Sequence, residues 1–180
     1  VSCEAARPHV ERLASQGKTI LYVALSGRLI GVLGIEDPIR DEAEGVIKAL
    51  HARGKKVVML TGDDERTAAA VAARLGIDAW RAQVLPSDKA DEVLRLKDAG
   101  AKVLMIGDGI NDSPALSAAD VGVTMRDGTD IAQEVADVIM APSLEYLLVA
   151  LDLGEATMKR IRSNVGISVG LNSAFLAGGL

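Results

Sequence analysis

The spacing of apolar and polar positions changes period along this chain, and each change marks an element. Val10, Leu13 and Ala14 fall on one side of a short helix that Gly17 is placed to stop. Two β-rich runs follow, over residues 19–25 and 29–35. Between them Ser26-Gly27-Arg28 predicts a hairpin, with glycine supplying the unusual backbone angle. Asp37-Pro38 then interrupts the pattern, because proline donates no amide hydrogen and restricts its neighbour. We take it as a domain boundary.

Beyond residue 40 the pattern becomes regular. Ala43, Val46, Ile47 and Leu50 line one face of a helix that Gly54 ends, and residues 56–60 read as a buried strand. Ala68, Val71, Ala72 and Leu75 mark the next helix. Ser87, after Pro86, is expected to cap another that turns Ala90, Val93 and Leu94 inward. Short apolar runs over 103–106, 121–124 and 138–140 predict further buried strands, and Leu144, Leu147, Leu148 and Leu151 a last amphipathic helix. Strands alternating with helices predict an α/β fold, a doubly wound parallel sheet covered on both faces. The core of such a fold is aliphatic, and the chain has only four aromatic residues, Tyr22, Trp80, Tyr146 and Phe175.

Composition narrows the classes. The chain has 180 residues, 49% apolar and 25% charged, which excludes a disordered polypeptide. Its 25 acidic residues outnumber 20 basic ones, so no nucleic-acid partner is expected. Cys3 stands alone, excluding an internal disulfide and a cysteine-cluster zinc site. His51 is expected to be a solvated residue near a helix end rather than a ligand, and Met59, Met105 and Met140 to fill core. The opening Val-Ser-Cys-Glu is neither a signal peptide nor a Met start, so a fragment of a longer polypeptide is expected. Near the other end, Lys159, Arg160 and Arg162 precede residues 165–180, which carry no charge. As a helix those residues would measure ~24 Å against a hydrocarbon layer of ~30 Å. The tract reads either as a buried helix, weakened by Gly166, Gly170, Gly178 and Gly179, or as the start of a membrane span with its basic flank on the cytoplasmic side.

The candidate chemistry sits where two strands end. Residues 57–60 run into Thr61-Gly62-Asp63-Asp64, and residues 103–106 into Gly107-Asp108-Gly109-Ile110-Asn111-Asp112. Ligands of an open parallel sheet bind at the carboxyl ends of its strands. Glycines let backbone amides approach an anion, Thr61 adds a hydroxyl, and Asp108 and Asp112 are hard oxygen donors suited to Mg²⁺. Carboxylates repel phosphoryl oxygens unless a divalent ion bridges them. With Lys89 following Pro86-Ser87-Asp88 as a balancing cation, the set reads as phosphoryl transfer.

Gly107-Asp108-Gly109-Ile110-Asn111-Asp112-Ser113-Pro114-Ala115-Leu116 closely resembles the signature of P-type cation-transporting ATPases. Thr61-Gly62-Asp63 and Pro86-Ser87-Asp88-Lys89 resemble two further motifs of that family, and Asp37-Pro38 resembles its hinge between nucleotide and phosphorylation domains. The resemblance implies a haloacid-dehalogenase-like fold, with Mg²⁺ and ATP as cofactors. It implies Asp108 and Asp112 as metal ligands, Thr61, Lys89 and Asn111 as catalytic residues, and Thr61, Gly62, Asp63 and Lys89 as the groups that bind nucleotide phosphate and ribose. The stretch Thr157-Met158-Lys159-Arg160-Ile161-Arg162-Ser163-Asn164 resembles the entry to a membrane helix of heavy-metal-transporting members. Leu171 stands where copper-type members usually carry Tyr, and Asn172 where zinc-type members often carry Lys, so the transported metal stays open. The implied division is residues 1–35, a partial α+β remnant of the nucleotide domain; 36–155, the phosphorylation domain; and 156–180, a linker and the truncated C-terminal membrane helix. Residues 1–160 are expected on the cytoplasmic side of a membrane, and the implied partners are ATP, a heavy-metal cation and lipid.

One part of the family pattern is missing. The chain contains no Asp-Lys-Thr-Gly-Thr, the motif whose Asp is the family's nucleophile at the end of a sheet strand. Without a carboxylate nucleophile no aspartyl-phosphate forms, and the sheet lacks a strand beside Thr61 and Asp108, leaving polar edges open. The isolated chain is therefore expected to be inactive and marginally soluble. Two alternatives remain at this point: a stand-alone phosphatase of the same fold, and a non-catalytic partner that binds Mg²⁺ or nucleotide. An upstream Asp-Lys-Thr-Gly-Thr would favour the pump over both.

Overall fold

The structure, a computed structural model, describes residues 6–15, 18–35 and 38–178. Gly17, Asp37, Cys3 and Gly179, to which the sequence reading assigned roles or exclusions, lie outside the described residues. The chain divides into two compact units, Val1–Ser143 and Leu144–Leu180.

In the first unit, helix α1 (Arg7–Ser15) is followed by an antiparallel hairpin of β1 (Thr19–Leu25) and β2 (Arg28–Ile35). Ser26 and Gly27 both adopt positive φ, 49° and 77°. That combination matches the right-handed twist of the flanking strands in a two-residue turn. Gly34 lies under α1: a Cβ there would meet Leu13 Cδ2 at 2.9 Å, so the absent side chain lets helix and strand pack.

The rest of the unit alternates as expected: α2 (Ala43–Ala52), β3 (Val58–Leu60), α3 (Glu65–Leu75), β4 (Ala79–Arg81), α4 (Pro86–Asp98), β5 (Leu104–Ile106), a 3-10 turn (Ile110–Asp112), α5 (Ser113–Ala118), β6 (Val121–Met125), α6 (Asp130–Val135) and β7 (Val138–Met140). All pairings among β3 to β7 are parallel. Helices α4 and α5 pack together, and Val93, Ala115 and Leu116 are fully buried. Each such Val or Leu side chain stabilises the fold by ~1.5–3 kcal/mol.

Three departures from the sequence reading have physical causes. The parallel sheet comes in two pieces, β3-β4 and β5-β6-β7, and neither β3 nor β5 has a second strand partner among the described residues. β4, centred on Trp80, was not anticipated: three residues with Trp80 partly covered between two exposed neighbours give no periodic signal, and pairing with β3 defines the strand. Ser87 does not cap α4. The helix starts two residues earlier than such a cap would allow, at Pro86, whose missing N–H costs nothing in a first turn, and the Ser87 hydroxyl donates to Asp88 Oδ1 at 2.9 Å.

The lower ends of the strands share one device. Asp78, Asp120 and Asp137 each accept a backbone N–H from a neighbouring strand or its entry, at Val57 (2.7 Å), Val103 (2.9 Å) and Gly122 (2.8 Å). These bonds hold Asp78 and Asp120 below the ordinary carboxylate range, helped by His51 in the first case and Lys102 in the second. His51 is thus tied to Asp78, 2.8 Å away, at the end of the sheet opposite the glycine loops.

The second unit is a single helix, α7 (Glu145–Gly178), 34 residues long. It merges the expected amphipathic helix with the uncharged tail. The membrane helix expected from residues 165–180 is not borne out: among the described residues no helix is long and apolar enough to cross a membrane. Lack of charge is not hydrophobicity. Ser168, Asn172, Ser173 and the glycines dilute the tract, and Lys159, Arg160, Arg162 and Asn164 stand close before it.

Candidate functional site

The glycine loops leave the carboxyl ends of β3 and β5, where the sheet pieces present their open edges. After β3, the Thr61 hydroxyl donates to Asp63 Oδ2 at 2.8 Å and accepts from the Asp63 N–H at 3.1 Å. Asp64 ends this turn by capping α3: its carboxylate accepts from the N–H groups of Arg66 and Thr67 and from the Thr67 hydroxyl. The Thr67 bonds foremost hold Asp64 below the usual carboxylate range.

The segment entering α4 is bonded to that turn. Val84 N–H donates to the Thr61 carbonyl at 3.0 Å, and Gln83 N–H to the Asp63 carbonyl at 2.8 Å. Gly62 faces the same segment, with space for an ordinary contact to the Val84 carbonyl. One turn into α4, Lys89 reaches the second loop: its Nζ lies 2.6 Å from Asp112 Oδ1, with the two side chains only 17% and 13% exposed. A partly buried ion pair therefore joins Pro86-Ser87-Asp88-Lys89 to the loop after β5.

That loop is shaped by what its glycines lack. A Cβ at Gly107 would fall 2.5 Å from Asp112 Cβ and 3.0 Å from Asp112 Oδ2, so any side chain there would evict Asp112 from its place. Gly107 N–H bonds the Val123 carbonyl on β6, and Asp112 N–H the Gly109 carbonyl. Asp108 is exposed, as is Asn111 in the 3-10 turn. The donor types suit Mg²⁺: Asp108 and Asp112 are hard carboxylates, and Asp112 keeps its place only because residue 107 has no Cβ. Among the described residues no group of three or more His, Cys, Asp or Glu is arranged to hold a metal.

Of the residues expected at the site, the structure joins Lys89 to Asp112 and Thr61 to Asp63. Among the described residues it makes no hydrogen bond from the Thr61 hydroxyl to Lys89 or Asp108; the connection runs through the backbone of 83–85 and α4. The sequence reading missed a third loop, residues 126–129 after β6. Thr129 N–H donates to the Asp108 carbonyl at 2.9 Å, and its hydroxyl caps α6. The signal was present, since Gly128-Thr129-Asp130 follows a buried strand just as the other two motifs do.

Comparison with known proteins gives a consistent picture. A family model for haloacid dehalogenase-like hydrolases matches residues 3–120. The chain is 51% identical over 156 residues to Copper-transporting ATPase 1 of Rhizobium meliloti, covering 86% of this chain and 19% of that protein. It is 48% identical over 170 residues to a Manganese-exporting P-type ATPase of Mycobacterium bovis, covering 93% and 24%. The crystal structure of a zinc-transporting PIB-type ATPase in its E2.Pi state superposes with a TM-score of 0.86 at 38% identity, over 99% of this chain and 30% of that one. The chain thus spans about a fifth to a quarter of the length of these curated relatives. Matched by the family model across its first two-thirds, and in sequence and fold along most of its length, the chain belongs to the haloacid dehalogenase-like hydrolases and is homologous to the heavy-metal-transporting P-type ATPases.

Proposed function

We propose that this chain is part of an ATP-driven pump that exports a heavy-metal cation, and that it contributes the phosphate-handling half of the catalytic site. The observation that carries the reading is the 2.6 Å contact between Lys89 and Asp112, which brings two separate phosphate-type motifs together at the carboxyl end of a parallel sheet. The relatives are named for copper, manganese and zinc, so the metal carried is left as a heavy-metal cation.

In this reading Asp108 and Asp112 hold Mg²⁺, which when bound offsets the charge of phosphoryl oxygens. Lys89 steadies Asp112 and presents a second positive charge to the same oxygens. Thr61 offers its hydroxyl to the transferred group, Asn111 orients neighbouring polar groups, and Gly62 and Asp63 border the nucleotide. The division proposed is a nucleotide-domain remnant over residues 1–35 and a phosphorylation domain from 36 to 155. Residues 1–160 lie on the cytoplasmic face of the membrane that the pump serves, where ATP is supplied. The nucleophilic Asp is absent from this chain, and the unpaired edges of β3 and β5 are where a strand bearing it would fit.

The test is phosphorylation of the full-length polypeptide by labelled ATP. Asp108→Asn keeps the size of the side chain and removes one charge, and is expected to abolish Mg²⁺-dependent phosphoenzyme. Phosphoenzyme at the wild-type level in that variant would refute the assignment. Acid-stable phosphoenzyme formed by the 180-residue chain alone would show the nucleophile misplaced.

A further inference from the structure

We infer that Gly128 is a positioning residue for Asp108: the missing side chain lets the loop after β6 close on the Asp108 main chain and so sets where its carboxylate meets a divalent cation. The inference rests on the assignment of Asp108 to that cation.

Space, not backbone conformation, demands glycine here, because Gly128 is not among the residues with positive φ. A Cβ at 128 would lie 2.7 Å from Thr124 Oγ1, 2.9 Å from the Met125 carbonyl oxygen and 3.1 Å from the Asp108 carbonyl oxygen. Two of these three are main-chain atoms that no rotamer change can move. The third belongs to Thr124, which is completely buried, with a hydroxyl that has no hydrogen-bond partner among the described residues. Interiors packed at crystal-like density leave it no retreat.

The loop is also held from its far side. Gln133 Nε2 donates to the carbonyls of Arg126 (3.0 Å) and Gly128 (2.9 Å), and Arg126 N–H to the Met140 carbonyl (2.8 Å). A methyl group at 128 therefore presses on the loop after β5 at the Asp108 carbonyl, 3.1 Å from the added Cβ and tied to Thr129 N–H at 2.9 Å. Mg²⁺ requires near-ideal octahedral ligands, so a shift of a few tenths of an ångström in a ligand's main chain registers as lost affinity.

The experiment measures Mn²⁺ binding, as a probe for Mg²⁺, to the whole chain by the electron paramagnetic resonance of free Mn²⁺. Each variant is studied below its own unfolding midpoint. The wild type is expected to bind, Asp108→Asn to lose binding, and Gly128→Ala to bind about tenfold more weakly, the usual cost of disturbing a group that orients a ligand. Gly122→Ala serves as control. It lies on β6, the strand before that loop, where an added Cβ crowds the Leu116 carbonyl at 2.7 Å and no atom of Asp108, and is expected to leave the dissociation constant unchanged. If the wild type does not bind, or Asp108→Asn binds as well as the wild type, the assignment of Asp108 fails and this inference with it. If Asp108→Asn loses binding while Gly128→Ala binds like the wild type, the inference alone is overturned. Equal weakening by Gly128→Ala and Gly122→Ala also overturns it. Should Gly128→Ala not fold, Gln133→Ala loosens the same loop without added bulk. It removes both hydrogen bonds from Gln133 to the loop and is then expected to weaken binding about threefold, and an unchanged constant would overturn the inference.

Discussion

Replacing Lys89 by Met tests whether the ion pair between the two motifs is a structural tie. Met keeps most of the volume and removes the charge, leaving Asp112 in place without its partner at 2.6 Å. At an effective dielectric constant of about 20, the attraction at that distance is ~6 kcal/mol before desolvation is subtracted. Removing one member of a fully buried pair costs about 3–5 kcal/mol, whereas an exposed pair is worth about 0–1. With side chains 17% and 13% exposed, this pair lies nearer the buried limit, and Lys89→Met is expected to destabilise the chain by ~2–3 kcal/mol. In urea, with a slope of about 1–3 kcal/mol per molar, that lowers the unfolding midpoint by ~1 M. Asp112→Asn is expected to act in the same direction. The double variant Lys89→Met with Asp112→Asn should lose less than the sum, because no charge is then left unpaired. A Lys89→Met chain as stable as the wild type, or singles whose effects simply add, would refute the argument.

Gly122→Ala places a Cβ 2.7 Å from the Leu116 carbonyl and is expected to cost ~1–3 kcal/mol, read as a lower midpoint of thermal unfolding. Asp64→Ala removes the cap of α3 and is expected to cost ~1 kcal/mol; Asp64→Ser should recover most of it in the same assay. Acidification should destabilise the fold. Asp64, Asp78 and Asp120 all titrate below their ordinary range, chiefly because they accept backbone N–H groups of Thr67, Val57 and Val103. A carboxyl depressed in the folded state contributes its stability fully above its unfolded value, about pH 4, and loses it as pH falls through the lower folded value. Chemical denaturation at pH 5 and pH 3 should show that loss, and equal stability at the two would contradict it.

How far the site was legible depended on how local its signals were. Gly107 through Leu116 is a continuous run, and its backbone explains itself: Gly107 is needed because Asp112 folds back to within 2.5 Å of where its Cβ would stand. The contact of Lys89 with Asp112 spans 23 residues and could be anticipated only as two motifs awaiting a common place. Gly128-Thr129-Asp130 follows a buried strand, but the run itself does not show that the carbonyl of Asp108, twenty residues earlier, stands 3.1 Å from where a Cβ at 128 would be. Ser87 misled because its residue type suits a cap, while the fixed φ of Pro86 started the helix first.

The alternation of strand and helix, the aliphatic core and the two glycine loops after β3 and β5 were decided by the sequence itself, through periods and motifs that act over a few neighbouring residues. The separation of the sheet into two pieces, the strand at Trp80 and the closure of the loop after β6 on Asp108 belong to the tertiary structure alone. The reason is physical: hydrogen-bond partners and steric limits between distant segments exist only after the chain has brought them together, and no local preference encodes which carbonyl a missing methyl group makes room for.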